Sequence, residues 1–215
     1  MPYDLTKLTP VCIVLTWLYL VCEVAFIGVT FWETGYYRGD FSPGMEMDVD
    51  FYALDAVLMV AAFGLLAATL GAYVVNGMWI YRSVSNAQAL DPNAERISPG
   101  WAIGWHVIPI ANLWMPFRAI RQTWNTSTGL GREINAPVGH PFGIWWGAWV
   151  ISTLFSNASF RISIRAETND DWLTVGYLDM GASVFSLIAG FFFIRILRDI
   201  TRAQSEQTGV AEIFS

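Results

Sequence analysis

Ser98-Pro99-Gly100-Trp101-Ala102-Ile103-Gly104-Trp105-His106-Val107-Ile108-Pro109-Ile110-Ala111-Asn112-Leu113-Trp114-Met115-Pro116-Phe117, followed by Arg118, Arg121 and Trp124, is apolar enough to enter a bilayer and too interrupted to cross it. Pro109 and Pro116 each remove an intrahelical hydrogen bond and crowd the preceding turn, and in lipid the freed carbonyls need protein or water as partners. Asn112 is polar, and arginines follow at once. The stretch is expected to be a bent hairpin over 98–117 that is seated in the membrane between ordinary spans.

Composition sets the class. Of 215 residues 54% are hydrophobic and 14% charged, with 11 Trp, whereas roughly a quarter of the residues of a soluble domain are charged. The fold class expected is an all-α membrane protein, with four transmembrane helices and a proline-broken re-entrant or interfacial hairpin in one domain over 1–215. A net charge of -6 with 12 basic residues spread along the chain excludes the concentrated basic face that nucleic acid requires. Cys12 and Cys22 sit on one helix about 15 Å apart at helical rise, too far to bridge. No His/Cys spacing suits a metal.

The first span is expected at about 11–32, an apolar run long enough to cross and too long for the core of a cleaved signal peptide. A loop carrying Glu33, Asp40, Glu46, Asp48 and Asp50 leads to the second span at 52–81. Here Gly64, Ala68 and Ala72 recur every four residues and permit close helix approach. Polar residues from Arg82 extend this helix until Asp91-Pro92 stops it. Phe117, Ile120 and Trp124 lie at helical spacing opposite Arg118, Arg121 and Gln122, which predicts a short interfacial helix at 117–125. The third span, 142–160, carries Gly143 and Gly147 in G-x-x-x-G spacing beside a cluster of tryptophans suited to the headgroup level. The fourth, 173–196, carries Ala182, Ser186 and Gly190, and a frayed polar tail follows it.

With the N-terminus inside, the cytoplasmic face collects Lys7, Arg82, Arg96, Arg118, Arg121, Arg132, Arg195, Arg198 and Arg202, leaving Arg38, Arg161 and Arg165 outside. That asymmetry obeys the positive-inside rule for four spans with both termini cytoplasmic. A fifth span at 101–117 would invert everything after it.

The segments Asn86-Ala87-Gln88-Ala89-Leu90, Ser98 to Trp105, Ile108 to Trp114 and Pro116 to Trp124 resemble the bacterial multi-pass membrane family catalogued as domain of unknown function 4328. The likeness is specific over about 81–124 and weaker over the flanking spans, and departs from the family pattern at His106 and Met115. It implies a membrane fold, in the bacterial inner membrane, and supplies no reaction.

Three acids, Glu23, Asp55 and Asp179, fall in or near spans. An ionised carboxylate in lipid is costly unless paired, so these are expected to form an ion-pair cluster with Arg161, or else an outward-opening proton or cation path. Trp101, Trp105, Trp114 and Trp124 suit interface anchors or a pocket for a lipid, quinone or pigment. Arg118 and Arg121 suit anionic headgroups. His106 suits a carbonyl or headgroup partner ahead of a haem or chlorin. No nucleophile and base stand in a recognisable order and no phosphate loop follows a strand, so catalysis is not expected. The leading reading is a non-catalytic accessory or scaffolding subunit that packs on another integral membrane protein, with no cofactor of its own.

Overall fold

The computed structural model describes residues 3–40, 47–93, 96–108, 110–129 and 133–213, with backbone alone for 47–52, 54, 58 and 208–213. Pro109, Arg132 and Glu46 lie outside the described residues. Every regular element within them is helical: α1 (Leu8–Arg38), α2 (Met47–Leu90), α3 (Pro99–Gly104), 3-10 turns at Trp105–Val107 and Ala111–Leu113, α4 (Met115–Ser127), α5 (His140–Ser163) and α6 (Asn169–Ile213).

The helix ends follow local chemistry. Pro10, Pro99, Pro116 and Pro141 all sit in the first turn of a helix, where the missing N–H has no intrahelical partner to lose. Asp171 accepts hydrogen bonds from the Thr168 and Glu167 backbone N–H groups at 3.0 and 3.1 Å, while its own N–H reaches Thr168 Oγ1 at 3.2 Å. This reciprocal cap starts α6. Gly39 (φ 76°) closes α1 and Gly129 (φ 83°) follows α4, both in the left-handed conformation that glycine adopts without strain.

Three helices are long and apolar enough to cross a bilayer, at Leu8–Arg38, Asp55–Leu90 and Asn169–Gln207. The sequence predicts a fourth at 142–160. The helix is there, and its 24 residues reach about 36 Å at helical rise. Trp145, Trp146, Trp149, Ser152, Ser156, Asn157 and Ser159 make it less apolar than the other three. At 44 and 45 residues, α2 and α6 are roughly twice as long as a ~30 Å hydrocarbon layer demands. The polar tail expected to fray instead continues α6 to Ile213.

The chain divides into two compact units. The first comprises Met1–Thr16, Gly71–Trp146 and Phe191–Ser215; the second comprises Trp17–Leu70 and Gly147–Gly190. The first unit has a core of large side chains, among them Trp79, Ile120, Ile196, Leu197 and Ile200, all at most 1% exposed. Phe193 lies between Trp145, stacked at 5.5 Å, and Trp79, edge-on at 6.4 Å. In the second unit most buried positions are small or polar, among them Thr30, Thr34, Ala68, Ser152, Ser159, Ala182 and Ser183, with Leu20 and Val175 the larger apolar ones.

Close approach explains that second core. A methyl group on Gly181 would come 2.7 Å from the Phe155 ring and one on Gly190 2.5 Å from Leu20, and Gly176 lies against Thr34. The small residues of α6 thus serve packing within the chain. In the α2 stripe Ala68 and Ala72 are buried; Gly64 is exposed and, like Gly143 and Gly147 on α5, has no described atom beyond its own helix backbone within 4 Å of where a Cβ would sit.

Gly181→Ala is therefore expected to destabilise the protein by about 1–3 kcal/mol through overpacking, read as a lowered thermal midpoint in detergent. Gly64→Ala is expected to leave it unchanged or raise it by up to about 1 kcal/mol, the helix-propensity gain. Equal losses in both would contradict this sorting of the stripes.

Candidate functional site

The broken segment folds back on itself. α3 has six residues and the 3-10 turn after it three, a run of about 14 Å at helical rise, so it is not a spanning helix. The chain then turns, and α4 packs against α3. Asn112 N–H bonds Ile108 O at 2.8 Å and Leu113 N–H bonds Ile110 O at 3.1 Å. The side-chain Oδ1 of Asn112 is buried without a hydrogen bond among the described residues.

Trp101 and Trp105 stack at 4.7 Å. Trp101 also lies over Gly104, where a Cβ would stand 3.2 Å from its ring. Trp101 and Trp114 are half exposed. Trp124 packs on Phe142 at 5.5 Å. Trp146, which was not singled out from the sequence beyond the tryptophan cluster, donates to Leu113 O at 2.9 Å and fastens the end of the second 3-10 turn. His106 places Nδ1 3.2 Å from Ile103 O and packs edge-on against Tyr73 at 6.4 Å.

On α4 the burial runs against the amphipathic expectation. Gln122, Thr123, Asn125, Thr126 and Ser127 are buried together with Pro116, Ala119 and Ile120, while Phe117 and Trp124 are only partly covered. Burying polar groups is tolerable only with partners, and the first unit supplies them. Gln122 accepts from Ile97 N–H at 3.0 Å and donates to Asn135 Oδ1 at 3.2 Å. The Asn125 amide donates to Ile134 O and Ala136 O at 3.1 and 3.0 Å.

Two further knots complete this lattice. Gln204 donates to Ser83 O at 2.9 Å and Ser127 Oγ at 3.0 Å, and accepts from Asn86 Nδ2 at 3.0 Å. Asn86 in turn pairs with both backbone groups of Tyr3, at 3.0 and 2.8 Å. Trp79 shares its indole N–H between Thr9 and Thr201, at 3.1 and 3.2 Å, whose hydroxyls meet at 2.7 Å. The Arg96 guanidinium, 3% exposed, closes the C-terminal end of α2 by donating to Ala87 O and Asp91 O, with the Asp91 carboxylate at 3.7 Å. Burial lowers the Arg96 pKa and Asp91 opposes the shift; arginine stays charged throughout the working range.

The acids of the second unit do not meet the expected arginine. Arg161 is exposed, and among the described residues no carboxylate lies within 4 Å of it. Glu23, 5% exposed, accepts a hydrogen bond from Tyr19 and keeps Oε2 buried without a partner among the described residues. Asp179 is held by Ser159. Glu33, which α1 carries because it runs on to Arg38, bonds Tyr37 and feels both Asp179 and Asp55. Glu33 thus lies within electrostatic reach of both Asp179 and Asp55. Among the described residues no group of three His, Cys, Asp or Glu is arranged to hold a metal.

Described residues whose regular elements are all helical, three of them long and apolar, are of the kind compatible with a membrane protein. The family model described as Domain of unknown function (DUF4328) matches residues 46–202, from the start of α2 to near the end of α6. The chain belongs to that family. No curated protein and no solved structure shows significant similarity to it.

Gln204→Ala is expected to cost about 2–4 kcal/mol, since it removes three hydrogen bonds and leaves buried partners unpaired. A double-mutant cycle with Asn86→Ala should return a coupling of about 0.5–3 kcal/mol in denaturation of the solubilised protein. Strict additivity of the two losses would show the amide pair to be energetically idle.

Proposed function

We propose that the protein is a non-catalytic, multi-pass membrane protein that acts as an accessory or scaffolding subunit, docking a second integral membrane protein along the exposed face of α2. In this reading α1, α2, α5 and α6 are four spans and the broken hairpin dips in from the cytoplasmic face of a bacterial inner membrane, with both termini cytoplasmic. The tryptophans near the start of α5 sit at an interface, which accounts for its lower apolarity. The positive-inside distribution supports the orientation.

The observation that carries the reading is the bareness of α2. Only 6% of its apolar window is buried, against 22% for α1 and 39% for α6. Val57, Val60, Gly64 and Ala67 follow one another at helical spacing on the exposed surface, with Gly64 open. Lipid offers no hydrophobic reason to associate, so close packing between small residues is a principal means of helix docking. The α6 stripe is filled within the chain, whereas this one is free to receive a partner helix, as is Gly147.

Extraction in mild detergent followed by native mass spectrometry is expected to recover the protein with a stoichiometric partner. Gly64→Leu should abolish the complex while leaving the thermal midpoint of the isolated chain within about 1 kcal/mol of wild type. A complex that survives Gly64→Leu, or a wild-type chain that emerges alone, refutes docking by this face.

A second reading, a small proton or cation transporter, is favoured by one observation: the buried, unpartnered Oε2 of Glu23. Intramembrane carboxyls commonly mark ion pathways. Under that reading Glu23→Gln abolishes flux in proteoliposomes under an imposed gradient. Under the docking reading it leaves stability nearly unchanged, because the amide still accepts from Tyr19, and no flux exists to lose.

A further inference from the structure

Beside the start of α5 lies a cleft of about 400 Å³ lined by Phe117, Arg121, Val138, His140, Gly143 and Ile144. Its chemistry is two-sided. Phe117, Val138 and Ile144 make apolar walls. Arg121 and His140 supply N–H donors, and Gly143 lacks a side chain at the start of a 24-residue helix, whose dipole favours an anion; Pro141 has no N–H and Phe142 N–H bonds Gly139 O at 3.1 Å, so the first turn offers the N–H groups of His140 and Gly143.

Arg121 is only partly occupied by the protein. Its guanidinium stands 5.7 Å from the centre of the Phe117 ring, and Nη2 reaches Asn135 Oδ1 at 3.4 Å, an acceptor shared with Gln122. Among the described residues its buried Nε–H has no acceptor and no carboxylate lies within 4 Å of the guanidinium. A donor nitrogen shut off from water without an acceptor is costly, and the rest of this half-buried guanidinium stays open to the cleft. Arg96, by contrast, has two carbonyls and Asp91. Arg118, next to the cleft and outside its lining, is exposed.

We infer that this cleft binds the phosphate of an anionic phospholipid headgroup, with Arg121 as its principal ligand, His140 and the first turn of α5 as further donors, and the apolar walls covering the glycerol end. The shape separates a lipid from free phosphate: inorganic phosphate has no use for Phe117, Val138 and Ile144. The inference depends on the chain being membrane-embedded and is independent of whether α2 docks a partner.

The test is native mass spectrometry of the full chain in mild detergent, titrated with phosphatidylglycerol or phosphatidylcholine, with inorganic phosphate as competitor. One phosphatidylglycerol is expected to persist, with at least tenfold weaker retention of phosphatidylcholine and no displacement by phosphate at tenfold excess over lipid. Arg121→Gln should weaken retention tenfold or more, and Arg118→Gln less than twofold. The thermal midpoint of Arg121→Gln without added lipid reports whether it is folded; should it fail to fold, Val138→Asp, which places a negative charge in the same wall, is expected to expel the lipid. Equal weakening by Arg118→Gln reduces the effect to surface potential and overturns the site. Displacement by inorganic phosphate overturns the lipid assignment. Loss of the partner from the complex without loss of the bound lipid would fault the docking reading alone.

Discussion

The side-chain amides of Asn86 and Gln204 meet at 3.0 Å in the core of the first unit, and the arrangement of its helices depends on that contact. Apolar helices slide: Leu against Ile is nearly as good one turn away. An amide pair is not so forgiving, because each has donors and acceptors that must all be met once water is gone. Asn86 spends both ends of its amide on the Tyr3 backbone as well as on Gln204, and Gln204 spends its amino group on Ser83 and Ser127. A slip of any one of the N-terminal segment, α2, α4 or α6 orphans several groups at once. The same logic explains why α6 does not fray where its sequence turns polar: Gln204 lies inside, 2% exposed.

Polar burial in the second unit has another character. The hydroxyls there are mostly settled locally or in pairs, as with Ser152 and Ser186 at 2.8 Å, and the close spacing of α6 to its neighbours comes from glycine. Its carboxyls are the groups left over. Glu23 has a single hydrogen-bond partner for two oxygens, and Glu33 feels two acids where a base would relieve it. Structures keep such expense where it serves a purpose or where nothing selects against it. The first unit ties its helices together through side-chain amides and hydroxyls, while the second buries carboxyls with few hydrogen-bond partners among the described residues.

Much of this was legible beforehand. Apolar runs marked the long helices, and Pro116 marked an interruption, because proline acts through the covalent backbone and needs no knowledge of the fold. The break at 98–117 was visible for the same reason. The inward turn of Gln122, Thr123 and Asn125 was not. Helical periodicity separates polar from apolar faces, yet which face is buried depends on whether distant segments offer partners, here Ile97, Asn135 and the carbonyls of 134 and 136. Arg96 was read as a topological charge and proved to be a helix cap for the same reason. The expected pairing of Arg161 with Glu23 or Asp179 failed on direction. Nearness along the membrane normal says nothing about which side of a helix a residue occupies, and Arg161 is exposed.

The small-residue stripes show where sequence and structure divide the work. Gly64, Ala68 and Ala72 on α2, Gly143 and Gly147 on α5, and Ala182, Ser186 and Gly190 on α6 have nearly the same spacing, and spacing alone promises only that something can come close. On α6 it is kept within the chain, by Leu20 against Gly190 and by the hydroxyl pair from Ser186 to Ser152. On α2 the four-residue rhythm splits, since a helix turns 3.6 residues per turn: Ala68 and Ala72 fall inward, and Gly64 falls on the side where no neighbour stands. A glycine in a helix interior costs about 1 kcal/mol relative to alanine. At Gly181 and Gly190 the close neighbour explains that cost inside the chain; at Gly64 and Gly147 nothing among the described residues does, which is why the explanation is sought in a helix from outside the chain.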